Sequence, residues 1–263
     1  MLEQGLGYSA LNTARSALSQ VLPAQAGVSF GELPLTKQFM KGVFQEKPSL
    51  PRYTVTWDPV LLLSFLRSQP PNEKLDLKML TFKTVTLLTF LSAQRIQTVH
   101  LFDIRNMTVS DSIVKVSIGD KLKQTRPGHH LHELEFPAYS PDQQLCPVSV
   151  VKQYLTQTKL LRGKITNLFI SFVKPYKSVS KSTISRWVKT TLGLAGVDLT
   201  RFKPHSIRAA SSSAASQASV PLATILRTAG WSSECVFAQY YQKEVHQQGT
   251  YATTLLNTSL STL

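Results

Sequence analysis

From Arg201 to Tyr241 the chain reads RFKPHSIRAASSSAASQASVPLATILRTAGWSSECVFAQYY, and few arrangements satisfy this stretch. His205 and Arg208 stand one helical turn apart, so a helix puts both on one face. Gly230-Trp231 ends the next helical run, and Tyr240 and Tyr241 follow one short helix later. A guanidinium, an imidazole and a phenol gathered in this way suit phosphodiester chemistry. Arginine binds phosphate through two parallel hydrogen bonds, and a phenol becomes a covalent nucleophile once a positive cluster lowers its pKa. Taken singly, a His-x-x-Arg on a helix is more often an ordinary surface or capping pair.

The rest of the chain is read by periodicity and punctuation. Tyr8, Leu11, Leu18 and Leu22 form the apolar stripe of a helix over 8–22, closed by Pro23. A shorter helix spans 35–44 on Phe39, Met40, Val43 and Phe44, and a stretch with Pro48 and Pro51 but no periodicity forms a linker over 48–56. Asp58 caps a helix with Pro59 at its first position, running to about Arg67. The longest helix covers 75–93, with Leu77, Leu80, Leu87, Leu88 and Leu91 on its buried face, and Arg95 stands just past its end. An arginine there either complements the helix dipole or belongs to a site.

Residues 112–118 alternate as a strand, with Val114, Val116 and Ile118 on one face, and 131–136 form a second strand. Between them GDKLKQTRPGHH reads as a basic hairpin tip, its Gly119-Asp120 and Pro127-Gly128 being turn formers. Helices over 147–158 and from Ser180 onward, with a short strand at 168–171 between them, complete the pattern. The second of these helices buries Ile184, Trp187, Val188 and Leu192 and turns Lys181, Arg186 and Lys189 outward, either to track phosphates or as a solvated face.

Charge narrows the partners. The 263 residues carry 29 Lys and Arg against 15 Asp and Glu, a net +14, which favours a polyanion, most commonly nucleic acid. Hydrophobic residues at 42% supply ample core for one large domain or two smaller ones. Cys146 and Cys235 offer neither a disulfide framework nor metal-ligand spacing, and a reducing compartment fits. No apolar run is long enough to span a bilayer, and the N-terminus lacks a basic-then-apolar signal pattern, so no membrane partner is expected. The sequence shows no glycine-rich phosphate cradle and no carboxylate cluster for Mg²⁺.

The His-x-x-Arg, Gly-Trp and Tyr sequence, in that order, resembles the C-terminal signature of tyrosine recombinases of the phage integrase family. PHSIRAAS, ILRTAGWSSE and the Phe237-to-Tyr241 ending are similar in wording to the recombinases of DIRS-type retrotransposons. The resemblance extends through KGVFQEKPSLPRYTVTW and covers the chain from about Tyr8 to Val245. It implies a mixed α+β, mostly helical fold: the tyrosine-recombinase catalytic fold with a small β-hairpin sheet, preceded by part of a helical core-binding domain. The implied layout is a core-binding part at 1–47, a linker at 48–56, the catalytic domain at 57–248 and a tail at 249–263.

It also implies roles. Arg95 and Arg208 clamp one phosphate, Lys123 (or Lys121) protonates the leaving oxygen, and His205 takes or holds the tyrosyl proton. Trp231 stands where many relatives have a second His and donates its indole N–H. Tyr241 is the nucleophile, with Tyr240 as the alternative. An aromatic residue directly precedes the nucleophile in the DIRS-type ending, and Phe237 and Tyr240 share a face. Lys121, Arg126, His129, His130, Lys181, Arg186, Lys189, Arg201 and Lys203 are the DNA-contacting set. The resemblance further implies double-stranded DNA as partner, a tetrameric synapse on it, and the nucleus as location. It implies no cofactor and no metal, which is consistent with the lack of a phosphate cradle and of a carboxylate cluster in the sequence. Two other readings share the residues: a copy that binds DNA without cutting it, and a type IB topoisomerase.

Overall fold

The structure, a computed structural model, describes residues 5–48, 54–120, 122, 131–231 and 234–246, without the side chains of Val236, Gln239, Tyr240 and His246. The chain divides into two compact units, Met1–Arg52 and Tyr53–Leu263.

In the first unit, helices α1 (Tyr8–Val21) and α2 (Pro34–Glu46) are joined through a 3-10 turn at Phe30–Glu32. Leu11, Met40 and Val43 are buried between them, and the rings of Tyr8 and Phe44 meet edge to face at 5.2 Å. Gly31 lies so close to α1 that a Cβ there would stand 2.5 Å from Ser19 Oγ.

The second unit is built around α4 (Leu77–Ser92), started by Asp76, whose carboxylate accepts from the Met79 amide. The leucine pattern predicts a helix buried on one face; Leu80, Leu87 and Leu88 are buried, Leu77 is half-buried and Leu91 is exposed, while Thr81, Lys83, Thr84, Thr86 and Thr89 are buried as well. Threonine permits this because its hydroxyl can bond back to its own helix. Thr84 donates to Leu80 O (2.7 Å), Thr89 to Val85 O (2.6 Å) and Ser92 to Leu88 O (2.7 Å). Around α4 pack α5 (Ile96–His100), α6 (Pro147–Thr158), α7 (Lys181–Leu194) and α8 (Ser206–Gln217). Asp58 caps α3 (Pro59–Ser68) through the Val60 amide, and Ser180 caps α7 through the Thr183 amide.

Two sheets complete the unit. β2 (Met107–Val109), β3 (Ile113–Val116) and β4 (Leu134–Pro137) form an antiparallel sheet in the order β2-β3-β4, with Val114 opposite Phe136 and Val116 opposite Leu134. Val114 and Val116 point into the core as the alternation predicts, while Lys115 on the other face pairs with Glu135 at 2.7 Å. The second sheet was not foreseen. β1 (Val55–Trp57) pairs in parallel with β5 (Glu244–His246), joining the first and last described strands of the unit. Val55 and Thr56, read from the sequence as the end of a linker, thus belong to a strand of the second unit. The short strand predicted at 168–171 is not formed; Ile170 and Asn167 make isolated bridges to Ser178 and Asp103. The tail at 249–263 lies outside the described residues.

Candidate active site

The site forms where α8, α9 (Leu222–Ala229) and α10 (Glu234–Tyr240) meet the end of α4. His205 occupies the N-cap position of α8, and Arg208 follows within its first turn. Gly230 closes α9 in the left-handed region (φ 66°), a conformation glycine adopts without the Cβ penalty. The last carbonyls of a helix have no partner within it. Here side chains of the site supply them: Arg208 Nη2 donates to Ala229 O (2.8 Å) and Gln94 Nε2 to Thr228 O (2.6 Å). Ser211 Oγ donates to Phe90 O, fastening α8 to the end of α4. Ala93 takes a left-handed conformation (φ 48°) there, turning the chain before Arg95.

Arg208 is fully buried, an unusual state for a guanidinium. It lies 4.4 Å from the centroid of Trp231 and 5.3 Å from that of Tyr241, and these two rings are 4.5 Å apart. Among the described residues, Nε and Nη1 of Arg208 and Nε1 of Trp231 are buried with no hydrogen-bond acceptor. Burial pushes the Arg208 pKa down, and the charge of Arg95 adds to that. The Tyr241 oxygen offsets part of it. The neighbouring charge acting on this buried cation is therefore another cation.

The phenol oxygen of Tyr241 is 3.2 Å from Nε2 of His205. His205 keeps one edge exposed to solvent, yet the burial of the rest of its ring, then the charges of Arg208 and Arg95, hold its pKa below the ordinary histidine value. A neutral imidazole so placed can accept the phenol proton when its Nε2 is unprotonated. Tyr241 is set at the end of α10 by its amide, which donates to Phe237 O at 2.8 Å, and Phe237 is buried 5.3 Å from the Trp231 ring.

The structure therefore brings His205, Arg208, Trp231 and Tyr241 together. Arg95, half-buried, is near enough for its charge to act on both His205 and Arg208. Tyr240 ends α10, but its side chain is outside the description. Lys121, Lys123, Arg126, His129 and His130 lie outside the described residues. Lys181, Arg186 and Lys189 are exposed on α7, and Lys203 is exposed. Arg201, also exposed, sets its guanidinium 5.5 Å from the Phe202 ring. Gln94 was not anticipated. Its one signal in the sequence was a polar amide between a leucine-rich helix and Arg95. Among the described residues no cluster of three His, Cys, Asp or Glu side chains gathers to hold a metal, and no helix is long and apolar enough to cross a membrane.

Comparison with known proteins places this geometry. Residues 65–247 match the phage integrase family. A curated relative, the integrase/recombinase XerD homolog of Selenomonas ruminantium, is 28% identical over 116 residues, which are 43% of this chain and 33% of the relative. The chain thus spans about a third of the length of that relative. Among solved structures, the XerH site-specific recombinase bound to palindromic difH substrate aligns with a TM-score of 0.61 at 14% identity, covering 99% of this chain and 68% of that one. The Tn1549 transposon integrase in complex with transposon right end DNA aligns with a TM-score of 0.58 at 14% identity, covering 100% of this chain and 82% of that one. The chain belongs to the phage integrase family, and its fold is that of the tyrosine recombinases.

Proposed function

We propose that this member of the phage integrase family cuts and rejoins double-stranded DNA through a 3′-phosphotyrosyl intermediate, with Tyr241 as the nucleophile. Arg208 and Arg95 hold the non-bridging oxygens of the scissile phosphate and balance the charge that grows in the phosphorane-like transition state. The Tyr241 oxygen attacks phosphorus in line. Its bond to phosphorus forms as the bond to the 5′ oxygen breaks, His205 takes the phenol proton, and Lys123 gives a proton to the departing oxygen. Attack by a 5′-hydroxyl on the phosphotyrosine reverses each step. The covalent bond conserves the phosphodiester energy, so the chemistry needs no nucleotide.

The observation that carries this reading is the set of buried donors beside Tyr241 that have no acceptor among the described residues: Nε and Nη1 of Arg208 and Nε1 of Trp231. A buried guanidinium with unmet donors is costly unless an anion completes it, and a phosphate does so. Arg208 is fully buried beside the Trp231 and Tyr241 rings, so a phosphate that reaches it displaces part of that cover. The DNA in the XerH and Tn1549 complexes supports DNA as the partner, and the lambda integrase dimer bound to a core site supports assembly on it. The PHSIRAAS and ILRTAGWSSE wording supports a DIRS-type mobile element as the source and the nucleus as the place of action.

The test is a pool of nicked duplexes with randomised sequence, incubated with the protein and quenched in SDS. A covalent protein–DNA species that disappears in Tyr241→Phe is expected. No adduct anywhere in the pool would leave a DNA-binding protein without strand cleavage. Relaxation of supercoiled plasmid by the monomer would assign the same chemistry to a topoisomerase.

A further inference from the structure

Helix α8 holds the Tyr241 segment at a second place, far from the reacting oxygen. Ser213 is buried, and its hydroxyl is fully used: Oγ donates to Tyr241 O at 2.6 Å and accepts from the Lys243 amide at 3.0 Å. The two bonds straddle Gln242 and fix the peptides on either side of it. A hydroxyl is suited to this, being donor and acceptor at one atom.

The same helix carries His205 and Arg208, so one rigid element holds the base, the arginine and the backbone from which the phenol hangs. It also holds the strand beside that backbone. Trp57 Nε1 of β1 donates to Ser206 Oγ at 2.9 Å, in a buried contact, and β1 pairs with β5 just beyond Lys243. The segment after α10 is thus gripped by α8 directly through Ser213 and indirectly through Ser206, Trp57 and the β1–β5 pair. Loss of Ser213 leaves the second grip in place.

Resting on the cleavage reading above, we propose that Ser213 is a positioning residue for Tyr241: it fixes the backbone pivot about which the phenol turns between His205 and the phosphate. It touches neither base nor phosphate, so its removal acts on the placement of the nucleophile. A phenol free to leave His205 loses its proton acceptor.

The experiment compares wild type, Ser213→Ala and Ser213→Thr on a duplex selected from the nicked pool. Adduct formation by Ser213→Ala is expected to be slower by about tenfold or more, since misplacement of a reacting group is costly in rate, with duplex affinity unchanged. Ser213→Thr, which keeps the hydroxyl, should restore the rate. A Ser213→Ala protein with the wild-type rate overturns the proposal, as does a uniform fall in binding and rate. A readout without activity is amide exchange in the unaltered protein. The Lys243 amide should be protected as well as those of β5, and free exchange there overturns the proposal even if Ser213→Ala folds poorly. If wild type forms no adduct while Lys243 is protected, the cleavage reading fails and Ser213 is a structural clamp only.

Discussion

The Tyr241 phenol and the His205 imidazole stand 3.2 Å apart, oxygen to Nε2, with the guanidinium of Arg208 beside the phenol ring. Partial burial of the ring, and after it the charges of Arg208 and Arg95, disfavour the protonated form of His205.

The pH dependence of cleavage follows. Because the folded-state pKa of His205 is lowered, the neutral form persists to lower pH than in a free histidine, whose pKa is about 6.5. Single-turnover adduct formation should hold its rate through neutrality and fall only below that value. His205→Gln should lower the rate by about a hundredfold and abolish that acid limb. An acid limb retained in His205→Gln would assign the base to another group.

The adjacent tyrosines separate cleanly. Neighbours on a helix point about 100° apart, so one phosphate is served by one of them. Tyr241→Phe keeps the ring contacts with Trp231 and Arg208 and loses the bond to His205, so it should melt close to wild type and form no adduct. Tyr240→Phe should form the adduct. The opposite pair of results reverses the assignment.

Arg208→Ala and Arg95→Ala should each lower cleavage by about a hundredfold or more, roughly 3 kcal/mol of transition-state stabilisation. Duplex binding, spread over many phosphates, should fall far less in a gel-shift titration. Equal losses of binding and cleavage would make both arginines structural.

Lys83 gives a prediction independent of DNA. It is buried in α4 with Nζ donating to Gln144 Oε1 at 2.9 Å, and burial pulls its pKa down to about 8 against the opposing pull of Asp142 and Glu73. The unfolded chain holds that proton up to about pH 10.4. Between those values the unfolded state binds more protons, so this group makes stability rise with pH; below about 8 its penalty is fully present. Urea titrations from about pH 7 to 10 should show that rise in wild type and a flatter curve in Lys83→Met.

Much of this was legible in the chain. The helices were readable because each carries its own signal: Asp58 before Pro59, Ser180 before α7, and the leucine spacing of α4. The gathering of His205, Arg208, Trp231 and Tyr241 was foreshadowed by the family resemblance that their order carries, since the His-x-x-Arg spacing alone fits an ordinary surface pair. What stayed hidden depends on partners distant in sequence. The two three-residue strands β1 and β5 have no periodicity to detect and exist only because they meet. The unbroken burial of 80–90 in α4 includes threonines that the leucine spacing does not mark, and the use of Ser213 depends on a partner that comes 28 residues later. Segment 168–171, apolar enough for a strand, is buried without a neighbouring strand to pair with and forms single bridges instead.

The pairing of β1 with β5 has a consequence for the order in which the protein becomes itself. Contacts between segments so far apart form late, because the loop between them must close first. During synthesis the strand at Val55–Trp57 leaves the ribosome early and waits for Glu244–His246, which emerges just after Tyr241. Tyr241 therefore gains the strand that follows it only once the rest of the unit has been made. A nascent or truncated chain ending before β5 carries His205, Arg208 and Tyr241 but lacks the β1–β5 pairing that anchors the segment after the tyrosine.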